Sequence, residues 1–471
     1  MAGNKLVKRF LEYALGSGAV LLLGFISAPI NTRLFTPEEF GEFSMFVLFT
    51  NIVNVLVLMG LDQSFIRFFY EEKNQKRLLY QTIKYPLIVC SFLTIFIIIF
   101  WQWVSKTLFN TNSIEIIILF IITNFLLVFN RFSFLVIRMQ QKGKLYSYLQ
   151  VLQKIINILI ILITVKITKD GFFSLTIAML VSCIIVTFVS IILSRDLWEL
   201  KSSNREIKTK NNELMKFGFP LMFTFLITLI FQFSDRVFIQ YFNGYTELGL
   251  YSAAFSIVAL LNAVQTAFST FWVPVAYEHY EKNRDDKIFF KSVNSIVSLF
   301  MFFIGIILIL FKDLIILILG EDFREAASIM PFLIFMPIMY TISETTVLGI
   351  NFKKKPQYHI IIALLSAIAS ILGNVILVPI YGATGAAIST GLAYILFFVI
   401  RTIISNRFYK VNYELKKFYF MTLSLSLFAF YATFNNLDAM YLFLGLINLT
   451  LLVIIYRNNI ILLKDLIKKN K

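Results

Sequence analysis

Runs of about twenty apolar residues, separated by short polar segments, recur from one end of the chain to the other. They fall at residues 11–32, 43–61, 85–104, 114–136, 145–166 and 172–194, then at 216–236, 248–273, 289–311, 326–350, 358–378 and 382–404, and last at 414–434 and 438–456. A helix needs roughly 20 such residues to cross the hydrocarbon core of a bilayer. The runs are too long for barrel strands and lack alternation of period two. The pattern therefore predicts an all-α integral membrane protein with about fourteen transmembrane helices. More spans follow the first run, and no small-residue cleavage pattern does, so it reads as a span and not as a removable leader. Pro379, Tyr381 and Gly382 fill one of the shortest gaps and predict a tight turn between two helices.

Composition agrees with this picture. Hydrophobic residues make up 58% of the 471 and charged residues 15%, against roughly 45–50% and about 25% in soluble chains. Lipid, not water, suits such a surface.

Charge then supplies an orientation. With the amino terminus placed in the cytoplasm, 34 of the 43 Lys and Arg residues fall in cytoplasmic segments. Only Arg33, Lys106, Lys166, Lys169, Lys312 and Arg324 fall on the opposite side, while Arg131, Lys154 and Arg236 lie within or at the edge of spans. This asymmetry follows the positive-inside rule and predicts a multi-pass membrane protein with both termini cytoplasmic. The net charge of +16 is thereby accounted for, and no nucleic-acid partner is expected.

The longest hydrophilic stretch, Arg195–Glu213, lies near the middle and invites a search for a repeat. Gly41-Glu42-Phe43-Ser44 after span 1 matches Gly249-Leu250-Tyr251-Ser252 after span 7. Lys142-Gly143-Lys144-Leu145-Tyr146 matches Lys354-Lys355-Pro356-Gln357-Tyr358, and Asn157 matches Asn374. Offsets that drift slowly from 208 to 217 predict two parallel six-helix halves. The expected organisation is an N-lobe over 1–194, a cytoplasmic linker over 195–215, a C-lobe over 216–404, and two further spans with a basic tail over 405–471.

Ionisable groups at membrane depth are costly and tend to face a bundle interior or a watery cavity. The clearest are Arg131 in span 4, Lys154 in span 5 and Glu344 in span 10, the three candidates for a substrate cavity. Arg131 and Lys154 are suited to attract an anionic group, although Lys154 also has the reach to snorkel toward the inner headgroups. Secondary polar or gate candidates are Arg33 at the outer end of span 1, Asp62 and Arg67 after span 2, and Asp235 with Arg236 at the close of span 7. The Asp235–Arg236 pair reads first as an interfacial anchor. Pro331 and Pro337 interrupt span 10 and are candidate kink positions.

Other chemistry is sparse. Cys90 and Cys183 sit inside apolar runs, and His279 and His359 lie far apart, so no metal site or disulfide framework is expected. No Walker-type loop, HExxH or GxSxG motif is present, and no outer loop is long enough for a catalytic domain. The chain is not expected to be an enzyme. No cofactor is expected beyond a coupling ion, Na+ or H+, whose identity the sequence leaves open.

The run Asn31-Thr32-Arg33-Leu34-Phe35-Thr36-Pro37-Glu38-Glu39-Phe40-Gly41 resembles the first outer loop of bacterial polysaccharide-biosynthesis flippases. So do Gly60-Leu61-Asp62-Gln63-Ser64-Phe65-Ile66-Arg67, Ser234-Asp235-Arg236-Val237, Gly249-Leu250-Tyr251-Ser252 and Asn374-Val375-Ile376-Leu377-Val378-Pro379. Taken together, these segments resemble the Wzx-type members of the multidrug/oligosaccharidyl-lipid/polysaccharide (MOP) exporter superfamily. The resemblance implies two six-helix lobes around a central cavity, with two extra helices at the end. It also implies a substrate built on undecaprenyl diphosphate, a lipid-linked oligosaccharide carried from inner to outer leaflet by alternating access for surface polysaccharide synthesis. The lipid bilayer and the polymerase and glycosyltransferases of the same pathway are the further partners it suggests. Two alternatives stand beside it: an ion-coupled multidrug exporter of the same superfamily, and a membrane glycan polymerase or glycosyltransferase.

Overall fold

The computed structural model describes residues 2–168, 170–198, 209–353 and 355–461, with side chains from residue 18 onward. The centre of the expected linker and the expected basic tail beyond 461 lie outside the described residues.

Among the described residues the secondary structure is helical throughout. The first part of the chain forms α1 (Ala2–Leu34), α2 (Pro37–Leu58), α3 (Leu61–Phe68), α4 (Gln75–Ile99), α5 (Trp101–Phe109), α6 (Ile114–Met139), α7 (Gly143–Ile167), α8 (Gly171–Leu193), α9 (Arg195–Trp198) and the beginning of α10 (Asn211–Lys282). The rest forms α11 (Lys287–Leu310), α12 (Lys312–Ile316), α13 (Ala326–Leu333), α14 (Phe335–Thr346), α15 (Leu348–Phe352), α16 (Gln357–Phe408), α17 (Leu415–Phe434) and α18 (Ala439–Ile455). Apart from the third and the tenth, each expected span falls on one of these helices or on a half of one. A helix satisfies its own backbone polar groups, which hydrocarbon demands. The outward side chains fit the same solvent: Phe92, Ile167 and Ile380 are each at least two-thirds exposed, a hazard in water and an ordinary surface in lipid.

Helix ends are marked locally. Thr36 caps α2 in a reciprocal box with Glu39, and Pro37 occupies the first turn, where its missing N–H is no loss. The helices α10 and α16 each contain two expected spans. They break at Gly244 (φ 86°) and Gly382 (φ 57°, ψ −137°). At Gly382 a side chain is excluded twice, by the positive φ and by the Glu247 carboxylate that accepts the Ala383 N–H at 3.0 Å.

Two spans depart from expectation. The run read as 85–104 is not one helix, because the chain breaks at Phe100 between α4 and α5. Span 10 is built as three short helices, α13, α14 and α15. Pro337 has no N–H to give the Leu333 carbonyl, and α13 ends at Leu333. Pro331 lies within α13. This segment is 83% buried, whereas α7 is 17% buried, so span 10 faces protein and α7 faces mostly lipid.

By contacts the chain divides into two compact units. The first comprises Met1–Ser27 and Leu34–Phe233, the second Ala28–Arg33 and Ser234–Lys471. In the first, Ser174, Ala178 and Ser182 lie on a buried face of α8, which packs on α6 and α7, while Gly171 leaves room for Phe35 and Glu39. Leu61, Phe65, Leu78, Val128 and Phe132 form a core joining α2, α3, α4 and α6. In the second, α14 packs on α11 and α16, and α17 packs on α13 and α18.

Candidate functional site

In the first unit a sharp reversal joins α2 to α3. Met59 and Gly60 both take left-handed conformations, φ 50° and 70°. The Gly60 backbone lies directly against that of Gly218 in α10, too close for any side chain at either position. Ser64 Oγ adds a 2.7 Å hydrogen bond to the Leu214 carbonyl. The start of α3 is thereby pinned, and Asp62 in its first turn is turned inward, 4% exposed.

Asp62 meets Arg131 of α6. Arg131 donates from Nε at 3.0 Å and from Nη2 at 2.7 Å, both to Asp62 Oδ2, and Gln63 Nε2 donates to the same oxygen at 2.9 Å. The neighbouring Asn130 fixes α6 to α8 through a 2.9 Å bond to Thr187. Arg131 is not sealed by this pairing, since its side chain is 43% exposed. Both charges line a cavity of about 340 Å³. Asn54, Thr228 and Gln232 contribute further polar groups to its wall, and Val55, Leu58, Phe225 and Leu229 apolar ones. A guanidinium with donors left over, set in a small polar space among apolar helices, is suited to an anion. Asp62, a secondary candidate in the sequence, is the counter-ion of Arg131.

The remaining first-unit candidates stand apart. Lys154 of α7 is half-buried and has no polar partner among the described residues. It shares one helix face with Ser147, Gln150 and Asn157 by spacing, and it does not line the Arg131 cavity. Arg67 pairs with Glu71 one turn on, both half-exposed, and packs over Phe68. That is the arrangement of a helix surface.

The second unit holds two polar clusters. Glu344 of α14 is 8% exposed and bonds Arg401 at 2.8 Å, while Arg401 also donates to Ser343 at 2.5 Å. Tyr340 and Phe397 cover the guanidinium. Glu344 is thus closed into an ion pair. Arg401, counted among the cytoplasmic loop cations from the sequence, lies inside α16 and is 6% exposed. Lys312, placed by its charge in an outer loop, is likewise buried, bonded to Asp313 at 2.8 Å and set over the Tyr441 ring.

The other cluster centres on Asp235, which is 2% exposed. Tyr251 Oη donates at 2.6 Å and Thr390 Oγ1 at 2.5 Å to one carboxylate oxygen, and Asn374 Nδ2 at 2.7 Å and Ser370 Oγ at 3.4 Å to the other. The Asn374 Oδ1 atom is buried with no hydrogen-bond partner. Asp235 therefore joins both halves of α10 and both halves of α16. The first reading of it as an interfacial anchor fails because α10 continues two turns past the expected end of span 7, to Gly244. Arg236 beside it is half-buried and lies over the Phe255 ring. Arg33 is exposed and reaches the Ile318 carbonyl at 3.3 Å.

Arg401, Tyr251, Thr390 and Gln232 were not singled out from the sequence. For Arg401 the available signal was its position inside the run 382–404. For Tyr251 it was a place in the repeated segment Gly249-Leu250-Tyr251-Ser252; for Thr390 and Gln232 none existed, since hydroxyl and amide side chains are common in membrane helices.

Comparison with known proteins follows the same lines. A family model described as "Polysaccharide biosynthesis protein" matches residues 6–279. No curated protein matches the chain in sequence. Among solved structures, the lipid II flippase MurJ in an inward closed conformation is similar at TM-score 0.71 and 17% identity, covering 97% of this chain and 99% of that one. An inward-facing multidrug resistance MATE family transporter of the MOP superfamily is similar at TM-score 0.59 and 13% identity, over 83% of this chain and 94% of that one. A MOP superfamily transporter from Pyrococcus furiosus gives TM-score 0.55 at 13% identity, over 85% and 95% of the two chains. The fold is that of MOP-superfamily membrane transporters and flippases.

Proposed function

The chain belongs to the polysaccharide biosynthesis protein family, and we propose that within it the protein flips an undecaprenyl-diphosphate-linked oligosaccharide from the inner to the outer leaflet by alternating access. A diphosphate and a hydrated glycan do not cross hydrocarbon unaided, because desolvating them is prohibitive. The single observation that carries this reading is the cavity of Asp62 and Arg131, a guanidinium with spare donors among membrane helices. An entering phosphate would compete with Asp62 for Arg131, so that release on the far side is helped by the carboxylate that takes the arginine back. Lys154 of α7, without a polar partner among the described residues, is the second cation of this reading. In it, the halves 1–194 and 216–404 are the moving bodies. The termini are cytoplasmic in a bacterial plasma membrane, as the charge asymmetry supports. The polymerase and glycosyltransferases of the same pathway are its partners.

The test is genetic and biochemical together. Cells lacking the protein should lose surface glycan and accumulate lipid-linked repeat units on the inner leaflet. Complementation with a chain carrying Arg131→Gln and Lys154→Gln should fail at normal protein level. Full complementation by that variant would refute the anion role. Single repeat units on the outer leaflet of the deletion strain would indicate a polymerase instead.

A second reading, the ion-coupled exporter, is favoured by one observation. Asp235 is a buried carboxylate held by four side chains with an unpartnered amide oxygen beside it, a setting in which a proton or a Na+ ion would be felt strongly. In either reading this cluster is our proposed place for the coupling ion. Asp235→Asn should abolish the dependence of transport on a Na+ or H+ gradient. Retention of gradient-driven transport by that variant would remove Asp235 from coupling.

A further inference from the structure

At the end of the second unit where α11 begins, α16 ends and α17 begins, a cavity of about 970 Å³ opens. Four cations line it, Lys287 and Lys291 from α11 and Arg407 and Lys410 from the end of α16 and the connection after it. Lys291 is neutralised by Glu414 at 2.7 Å, and Lys417 holds the same carboxylate. The other three have no ion pair or side-chain hydrogen bond among the described residues. Three uncompensated like charges around one space repel each other, and an anion seated among them would relieve that repulsion.

The remaining wall is mixed. Asn406 and Asn412 add polar groups, Ile288 and Ile403 are 76% and 49% exposed, and Val411 and Leu415 complete the lining. Val411 and Leu415 also belong to a cluster with Trp272, Tyr280, Tyr409 and Tyr413, where the Tyr280 ring stacks on Phe352 at 3.8 Å. Cations beside exposed isoleucines match a molecule with an anionic head and apolar tails. The volume lies within the range of small-ligand sites.

We propose that this cavity is a binding site for the phosphodiester headgroup of an anionic glycerophospholipid, held by Lys287, Arg407 and Lys410 with its acyl chains against Ile288 and Ile403. The site is separate from the Asp62–Arg131 cavity, and its test does not read transport.

The experiment uses the full chain in phosphatidylcholine nanodiscs doped with a small fraction of phosphatidylglycerol, with retained lipid measured by native mass spectrometry after release. Wild-type protein should retain phosphatidylglycerol in preference to phosphatidylcholine. Combining Lys287→Gln, Arg407→Gln and Lys410→Gln should weaken that retention about tenfold or more, given what each basic residue contributes near an anionic surface. A control combining Arg138→Gln, Lys142→Gln and Lys353→Gln removes three exposed cations elsewhere and should retain the lipid as wild type does. Equal loss in both variants would mean diffuse attraction and would overturn the site. Loss in neither would overturn it as well. Inorganic phosphate binding to the wild type as tightly as the lipid would show a free-phosphate site and remove the lipid from it. The three substituted side chains are exposed, so a melting temperature near that of wild type should accompany the loss.

Discussion

Two arginine–carboxylate pairs lie among the membrane helices, one in each unit, and their surroundings differ sharply. Arg401 and Glu344 are 2.8 Å apart with side chains 7% and 10% exposed, and two aromatic rings cover the guanidinium. Arg131 and Asp62 are 2.7 Å apart, with a side chain that is 43% exposed on the arginine and 6% on the aspartate. A buried ion that loses its partner costs several kcal/mol, because nothing replaces the lost water. A sealed pair therefore holds helices together and cannot trade partners. The open pair has one ion committed and the other facing a polar cavity, so Arg131 can exchange its acceptor. The same two functional groups serve as a clamp in one unit and as a ligand handle in the other.

The largest effect should come from breaking the clamp. Glu344→Gln leaves Arg401 charged and buried without a counter-ion, at a cost of about 3–5 kcal/mol. Thermal unfolding of the purified protein should shift down accordingly, or the variant should fail to accumulate. Replacing both residues with Met should recover most of the loss, since a well-packed apolar pair often equals a buried ion pair. If the single variant melted with the wild type, the pair would not be holding α14 to α16.

The handle should behave the other way round. Arg131→Gln removes a half-exposed charge, while Asp62 keeps the Gln63 donor and still faces the cavity, so the stability lost should be smaller than in Glu344→Gln. Transport of an anionic lipid-linked glycan should fall about tenfold to a hundredfold, the range for losing one charge-assisted contact. Flipping in proteoliposomes, measured beside the melting temperature, separates the two outcomes. A variant that loses stability and transport together would make Arg131 a second clamp, and the contrast between the units would collapse.

How much of this was legible in the sequence follows the same division. Hydropathy alone gave most of the spans, because in lipid a helix must be both long and apolar; it did not show the breaks inside the third and the tenth. Arg131 and Glu344 stood out because a charge in an apolar run is rare. Of their partners, Asp62 stood out only as a secondary candidate and Arg401 not at all. Asp62 sits at the end of a run, and only the left-handed turn at Met59 and Gly60 brings it inward. Arg401 lies so near the end of its run that it counted as a loop cation. Asp235 was read as a helix end because hydropathy falls after residue 236, while the backbone remains helical to Gly244. Composition marks where apolar sequence stops, whereas hydrogen bonding decides where the helix does.

The smallest effect concerns an acid–base contact outside the membrane helices, which sets a lower bound for the comparison. Asp286 caps α11 by accepting the Phe289 N–H at 3.1 Å, and His279 lies 2.9 Å from its other oxygen. The backbone N–H of Phe289 first, and His279 after it, hold the Asp286 carboxyl below its ordinary range. A carboxyl whose folded pKa is depressed contributes stability that is present above its unfolded pKa and is lost as pH falls through the folded one. The first turn of α11 should therefore be protected from hydrogen exchange at neutral pH and begin to fray below about pH 4, the ordinary aspartate value. The sealed Glu344–Arg401 region, buried between α14 and α16, should keep its protection over the same range. In Asp286→Asn the fraying should no longer depend on pH, since an amide oxygen still caps the helix but does not titrate. Acid-induced exchange that began in α14 before α11 would reverse the ranking and show the clamp to be the weaker of the two.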